Sequence, residues 1–201
     1  MKLLFSLLGI CFFCSVTGQE LNLDMEDVDA YGKPMVWRMG HALDQPVVYH
    51  MVADSVIKHN GRYSMKLTSN SNRANFASSF IVIPVPPGGK RVTLKGFVKT
   101  ENVAMGTLFV SMMLDDTTVV LWDNLYVTDN VVKGTKDWTE LTINLPIPEK
   151  VTMISFGSIL NGTGTLWIDE LRLWVDNVPI TKSTVLQPYV KDPQTGKLRK
   201  F

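Results

Sequence analysis

The stretch GTGTLWIDELRLW, residues 162–174, has the pattern of a β-strand that is entered through a tight bend. Its two glycines permit the bend, and the side chains that follow alternate with the period of two that is typical of a strand. The alternation predicts one apolar face, made of Trp167, Leu171, Leu173 and Val175. The opposite face is predicted to carry Glu170, Arg172 and Trp174. The stretch therefore indicates an architecture but no reaction.

Asp169 falls on the predicted apolar face of this strand. A carboxylate directed at a core is costly unless it is paired, hydrogen-bonded or metal-bound. One explanation is that Asp169 lies at the rim of a sandwich and holds a cation together with an acidic residue from elsewhere in the chain. The other is that it accepts backbone N–H bonds from the next loop. The spacing alone leaves both open.

The rest of the chain repeats the strand pattern. Valine, threonine and isoleucine recur in short runs that Gly, Pro, Asn and Asp interrupt, and helical periodicity is scarce. We expect a first short strand at residues 21–27, a loop at residues 132–138, and about nine or ten strands in all. The predicted fold class is all-β, a two-sheet antiparallel jelly-roll sandwich.

Residues 1–18 have the pattern of a secretory signal. Lys2 supplies the charged end, residues 3–13 form an apolar core, and small residues precede a cut ahead of Gln19. A retained anchor is the alternative. Cys11 and Cys14 leave with the signal, so the mature chain has no cysteine for disulfides. We expect an exported protein, periplasmic or extracellular, with a sandwich at residues 19–178 and a tail at residues 179–201.

The charge of the mature chain excludes some partners. Without Lys2, the chain has 19 basic and 19 acidic side chains, so their charges balance, and no basic stripe is present. Nucleic acid is therefore not an expected partner. The apolar run of the signal is too short for a membrane span, and no later segment approaches one, so the mature chain is not expected to span a membrane.

Five short motifs, in order, carry a resemblance to a known family. They are NLDME (22–26), HNGRYS (59–64), GFVKTENV (96–103), KGTKDW (133–138) and GTGTLWID (162–169). The chain resembles the carbohydrate-binding-module-like jelly roll of the galactose-binding-domain type. The match is to its form in secreted bacterial proteins, often ahead of tail-specific serine peptidase or erythromycin-esterase-like domains. A fold hosts many functions, and the resembling domains include some that bind no sugar.

The resemblance also implies a structural calcium ion. In the resembling jelly rolls the acids that correspond to Glu26 and Asp169 hold calcium, helped by carbonyls of the turn written here as residues 59–62. Calcium prefers six to eight oxygen ligands, and two carboxylates brought together without a cation would repel. The alternative is that Glu26 or Asp169 pairs instead with Arg62 or Lys66, without a metal.

Motifs for catalysis are missing from the sequence. The three histidines, His41, His50 and His59, have no HExxH spacing, and no Gly-x-Ser-x-Gly elbow is present. Two acid pairs, Asp115–Asp116 and Asp169–Glu170, consist of neighbours, which on a strand point to opposite faces and cannot share a glycosidic oxygen. Carboxylates from separate strands could still meet. We expect a protein that is not an enzyme.

Aromatic residues beside loops are candidates for sugar binding, because sugar rings stack on aromatic faces while polar side chains bond the hydroxyl groups. The candidate ligand-binding residues are Trp37, Tyr49, Trp122, Asp123, Asn124 and Tyr126. For Trp37 and Trp122 a place in the core is the alternative. Trp138 and Trp167 are expected in the core, whereas Trp174 could cover the tail or meet a partner.

Two classes of function remain open. The first is a secreted, non-catalytic module that binds carbohydrate in a jelly-roll cleft. The second is a structural or protein-interaction accessory domain that meets an envelope protein or a hydrolase. Exposed aromatic residues in a concave groove would favour the first, and a groove blocked by side chains or by the tail would favour the second. The tail is either loosely docked or a residual linker.

Overall fold

The computed structural model describes residues 18–41, 48–71, 75–114, 119–123, 131–187, 189–191 and 198–200. For residues 41, 119–123, 189–191 and 198–200 the description is confined to the backbone. Residues 1–17 of the predicted signal lie outside the described residues, as do Asn124 and Tyr126.

The described residues form an all-β protein, as the sequence predicts. The strands are β1 (Gln19–Glu20), β2 (Arg38–His41), β3 (His50–Asp54), β4 (Ser64–Ser69), β5 (Phe76–Pro84), β6 (Arg91–Met113), β7 (Val119–Asp123), β8 (Val132–Pro146), β9 (Met153–Asn161), β10 (Gly164–Val175), β11 (Val178–Pro179), β12 (Lys182–Ser183), β13 (Tyr189–Lys191) and β14 (Leu198–Lys200). Every strand pair in this set is antiparallel. Nowhere in the described ranges is there a helix with the length and apolarity needed to cross a membrane.

Strand β6 belongs to both sheets of the sandwich. Its first part pairs with β10 and β8, and β10 continues through β4 to the edge strand β3; we call this the first sheet. Its last part, residues 105–113, pairs with β9 and β7, and β9 continues through β5 to β2; we call this the second sheet. The change of sheet lies near Asn102, which has a φ of 53°.

The main core lies between the two sheets. Along β6, Leu108, Val110 and Met112 belong to this core, whereas Phe109 and Met113 belong to a separate apolar cluster. Alternate residues of a strand point to opposite faces, so the second cluster lies on the face of the second sheet that is turned away from the main core. We call it the second-sheet face. Its buried members are Phe80, Val82, Met105, Phe109, Met113 and Ile159.

A β-bulge corrects the predicted faces of β10. The register against β6 shifts between Asp169 and Arg172, and Glu170 has a φ of 48°. Before the bulge Leu166 and Ile168 enter the main core, and after it Leu171 and Leu173 do so. An extra residue at a bulge reverses the alternation. Asp169 and Trp167 therefore do not share a face with Leu171, contrary to the prediction.

Two further segments differ from prediction. Residues 22–27 form a loop, because Asn22 has a φ of 49° and its side chain bonds both the N–H and the carbonyl of Asp27. Local side-chain bonds of this kind compete with strand pairing. Residues 132–138, predicted as a loop, belong to β8, which pairs with β6 through several register shifts.

The start of the tail is docked on the sandwich. Strand β12 pairs with β1, and the N–H of Leu21 donates to the carbonyl of Thr181 at 2.9 Å. The N–H of Leu186 donates to the carbonyl of Val82 at 2.8 Å, and its side chain packs against the second-sheet face. Residues 181–187 are thus tied to both the first and the fifth strand.

Candidate functional site

The structure places two of the predicted sugar-binding residues in the main core. Trp37 is 2% exposed, lies edge-on to Phe156, and donates its Nε1–H to the carbonyl of Asn22 at 2.9 Å. Tyr49 is 3% exposed, its hydroxyl donates to the carbonyl of Gly162, and burial raises the pKa of that hydroxyl to about 12. Neither ring has a free face for a sugar, so the core alternative is the correct one for Trp37 and the prediction for Tyr49 is wrong.

The second-sheet face carries an arginine that sequence reasoning missed. Arg38 stands directly opposite Phe80 in the pairing of β2 with β5, and opposite residues of an antiparallel pair share a face. Its Nη1 atom is buried and has no hydrogen-bond partner among the described residues. A buried, charged donor without a partner costs more than an ordinary unmade hydrogen bond. Such a group is expected to meet a water molecule or a ligand.

Strand β7 brings two predicted residues to the edge of the same sheet. In its pairing with β6, Trp122 stands opposite Ser111 and Asp123 stands opposite Val110. The backbone of Trp122 and Asp123 therefore lies next to the strand that supplies Phe109 and Met113 to the second-sheet face. Asn124 and Tyr126 belong to the predicted site but lie outside the described residues.

Asp169 is held by backbone donors. Its Oδ2 accepts the N–H of His59 at 2.8 Å and that of Asn60 at 3.0 Å, and its Oδ1 accepts the N–H of Glu170 at 2.7 Å. The residue is 1% exposed, and burial raises the pKa of its carboxyl above the ordinary value, although the three N–H groups act in the opposite direction. This arrangement corresponds to the backbone-bonded alternative for Asp169.

Glu26 is held by the same turn. Its Oε1 accepts the N–H groups of Arg62 at 2.7 Å and Tyr63 at 3.1 Å, and its Oε2 accepts Nε–H of Arg62 at 3.0 Å. Burial alone would raise the pKa of Glu26, but these donors lower it below the ordinary value. Gly61 leaves the room for this contact, because a Cβ atom there, at a φ of +62°, would overlap Oε1 of Glu26.

The donor set around these two acids does not fit a calcium ion as arranged here. The turn of residues 59–62 was expected to offer carbonyl oxygens, but it offers N–H groups to both carboxylates. Among the described residues no three His, Cys, Asp or Glu side chains are grouped as metal ligands. Glu26 pairs with Arg62, as in the alternative without metal. Calcium at Glu26 and Asp169 stays a prediction, and neither of the two binding sites proposed below depends on it.

The outer surface of the first sheet carries a small aromatic cluster. The His59 ring is stacked on Phe97 at a centroid distance of 3.7 Å, and Trp138 lies edge-on to His59 at 5.5 Å. His59 Nδ1 contacts a carboxylate oxygen of Glu170. Trp138 is thus half-buried at the surface, and its predicted place in the core is wrong. Trp167 is buried as predicted, with Nε1–H donated to Asp54 at 2.9 Å.

The sequence contained only a weak signal for the missed residues. Trp37, Arg38 and Met39 alternate between the main core and the opposite face, but three residues inside a polar loop do not identify a strand. His59 and Phe97 are brought together by tertiary packing and are 38 positions apart, so no local pattern could pair them.

No protein-family model matches the chain. The uncharacterized HTH-type transcriptional regulator YbfP of Bacillus subtilis (strain 168) is 36% identical over 86 residues, which cover 41% of this chain and 28% of that protein. The chain thus spans less than a third of the length of this curated relative. The helix-turn-helix motif consists of two helices, and the described part of this chain contains no helix. The similarity to YbfP therefore gives no evidence of this motif in the described residues.

Three solved structures show what the fold resembles. The enzymatically active domain of tailspike protein 4 of bacteriophage CBA120 matches with a TM-score of 0.58 and 9% identity, over 76% of this chain and 21% of that one. TmCBM61, solved in complex with beta-1,4-galactotriose, matches with a TM-score of 0.53 and 15% identity, over 77% of this chain and 95% of that one. The CBM22-1 xylan-binding domain of Paenibacillus barcinonensis Xyn10C matches with a TM-score of 0.52 and 12% identity, over 83% of this chain and 97% of that one.

These similarities concern the fold. At identities of 9–15% they carry over neither ligand nor activity. The chain has the jelly-roll fold found in carbohydrate-binding modules, which confirms the resemblance read from its five motifs.

Proposed function

We propose that the protein is a non-catalytic module that binds carbohydrate, and that the second-sheet face together with β7 forms its site. The observation that carries the proposal is the Nη1 atom of Arg38, which is buried without a described partner opposite Phe80. A guanidinium offers several N–H donors to sugar hydroxyl groups. In this proposal the aromatic face for a sugar ring is supplied by Trp122 of β7.

The similar structures support this proposal. One is a module solved with a galactotriose and another is described as a xylan-binding domain, and both share the fold over more than three quarters of this chain. We therefore place β-1,4-linked galactose oligosaccharides and xylan oligosaccharides among the first ligands to test. The signal pattern of residues 1–18 supports export, so the ligand would be met in the periplasm or outside the cell.

A second candidate function is an accessory domain that supports another protein and binds no sugar. Leu186 of the docked tail packs against the second-sheet face, and Phe80 and Phe109 of that face are only 7% and 6% exposed. A face covered in this way supports a structural role with an envelope protein or a hydrolase as partner. Binding measurements separate the two functions.

The test measures glycan binding and melting temperature on the mature chain. The variants are Arg38→Met and Trp122→Ala, with exposed Arg91→Met as the matched control. We expect Arg38→Met to lose binding of galactan or xylan oligosaccharides without a lower melting temperature, because it removes a buried donor atom, Nη1, that has no described partner. Trp122→Ala should likewise lose binding. Trp37→Ala should lose both binding and about 3–5 kcal/mol of stability, as a core tryptophan does.

Two results would count against the carbohydrate site. One is a mature chain that binds no glycan on an array at millimolar concentration, which would leave the accessory-domain function. The other is an Arg38→Met variant that binds glycan as tightly as the Arg91→Met control.

A further inference from the structure

A cavity lies at the first sheet, where residues 20–27 and residues 179–181 meet the end of β10. It has a volume of about 420 Å³ and is bordered by residues 20–27, the end of β10 and residues 179–181. We call it the terminal cavity. Its volume falls within the range of small-molecule sites, which is about 300–1,000 Å³. None of its lining residues belongs to the second-sheet face.

Main-chain hydrogen bonds hold the walls of the terminal cavity in place. The N–H of Leu171 donates to the carbonyl of Leu23 at 2.9 Å, and the N–H of Ile180 donates to that of Leu173 at 2.8 Å. On the same side Asn22 fixes the loop by bonding Asp27 through its side chain. A ligand would therefore enter a cavity that is already formed, and little ordering entropy would oppose binding.

Trp174 supplies an aromatic wall. It is half-buried in β10, opposite Pro179 of β11, and it lines the cavity together with Leu23 and Ile180. Its indole N–H donates no hydrogen bond within the described part of the chain, although tryptophan normally finds a partner for this group when it is buried. The wall thus combines a ring face with a free donor.

The charge of the terminal cavity is negative. Asp24 and Asp27 line it, are exposed, and form no ion pair with any described Lys, Arg or His. The other two charged lining residues already have partners, Glu20 with Lys182 at 2.7 Å and Arg172 with Glu170 at 3.8 Å. An anionic ligand is disfavoured by this set, whereas an ammonium group would gain charge-assisted hydrogen bonds and an attraction to the indole ring.

We propose that the terminal cavity binds a sugar-sized ring with a free, protonated amine, that is, an amino sugar. The ring stacks on Trp174, and the ammonium group bonds the carboxylates of Asp24 and Asp27. This site is separate from the one proposed on the second sheet, so either can fail without the other.

The test is titration of the mature chain with glucosamine and its β-linked dimer, followed by calorimetry and by tryptophan fluorescence. N-acetylglucosamine and glucose are the uncharged controls. We expect the Asp24→Asn/Asp27→Asn variant to bind the amino sugar at least about tenfold more weakly, because neutral amides cannot form the charge-assisted hydrogen bonds of the two carboxylates. Higher salt should weaken binding by the wild type.

Matched variants make the outcome specific. Trp174→Leu should abolish the fluorescence change on titration. Glu140→Gln, which removes an exposed carboxylate outside the terminal cavity, should bind the amino sugar like the wild type. Asp24 and Asp27 are exposed, so their substitution should leave the melting temperature unchanged and keep the test valid if Trp174→Leu is unstable. Equal affinity for N-acetylglucosamine, binding that survives Asp24→Asn/Asp27→Asn, or no binding at millimolar glucosamine would each overturn the proposal.

Discussion

Asp169 and Glu26 both accept hydrogen bonds from the turn of residues 59–63, but their pKa values are shifted from the ordinary values in opposite directions. Asp169 is buried against the turn that carries His59 and Asn60, and burial raises the pKa of its carboxyl even though three N–H groups bond it. Glu26 is closer to solvent and shares the Arg62 guanidinium, so the pKa of its carboxyl is lowered. Both acids satisfy backbone donors of residues 59–63, so they hold the turn against the first and last parts of the sandwich.

Asp169→Ala is expected to destabilise the fold. The change leaves the N–H groups of His59 and Asn60 without an acceptor in a partly buried turn, and each unmet donor costs about 1–3 kcal/mol. Urea unfolding measures the loss, with exposed Glu149→Ala as the control that should change stability by less than about 0.5 kcal/mol. A loss for Asp169→Ala no larger than that of the control would mean that the turn is held by other contacts.

Glu26→Gln is expected to change how stability depends on pH. Because the pKa of Glu26 is lower in the folded protein than in the unfolded chain, its contribution is present above the unfolded value and is lost as pH falls through the folded value. The difference in unfolding free energy between wild type and Glu26→Gln should therefore be constant above about pH 5.5 and shrink below about pH 4.3. A difference that stays constant down to about pH 3 would contradict the folded-state pairing with Arg62.

The first residue of β10, Gly164, lies against the bend of β6 at which the two sheets join, and this position requires glycine. Gly164 has a φ of +104°, and a Cβ atom there would lie 2.5 Å from the carbonyl oxygens of Glu101 and Asn102. Those two residues stand where β6 passes from one sheet to the other. The close approach of the two backbones therefore fixes β10 beside the bend of β6.

Gly164→Ala is expected to destabilise the protein more than Gly134→Ala. Both glycines have a positive φ, but a Cβ atom at Gly134 would meet nothing within 4 Å. Gly134→Ala should cost about 1–2 kcal/mol for the left-handed conformation, and Gly164→Ala should cost more because backbone atoms cannot move aside. Thermal melting of the two variants gives the comparison, and equal midpoints would show that the bend of β6 yields to the added methyl group.

The calcium prediction has a direct test on the intact mature protein. In the structure both acids already have protein donors, so we expect the melting midpoint of the mature protein to be the same in excess chelator and in millimolar calcium. A ligand that binds only the folded state raises stability by mass action. A higher midpoint in calcium, with calcium found by elemental analysis, would instead establish the ion that the resemblance implies.

The local sequence was sufficient to predict the fold class. Period-two runs, the glycines at residues 162–164 and the five ordered motifs indicated an antiparallel jelly roll, because alternation and turn residues act over a few positions. Trp167 is buried, as predicted, but on the face of β10 opposite to the one that its strand pattern predicted. Burial of Trp37 did not follow from the local sequence, because a tryptophan beside a loop enters the core only where another strand, here the one with Phe156, meets it.

The candidate sites were decided by tertiary structure. The bulge at Glu170 turns Asp169 away from the face on which alternation placed it, and two of its three N–H donors come from a turn 109 and 110 positions earlier. Arg38 gains its place beside Phe80 only when β2 pairs with β5, and the terminal cavity forms only when residues 20–27 meet β10. The sequence thus determined which segments become strands, whereas pairing between distant strands determined which side chains are buried, paired or left free, because those contacts have no local period.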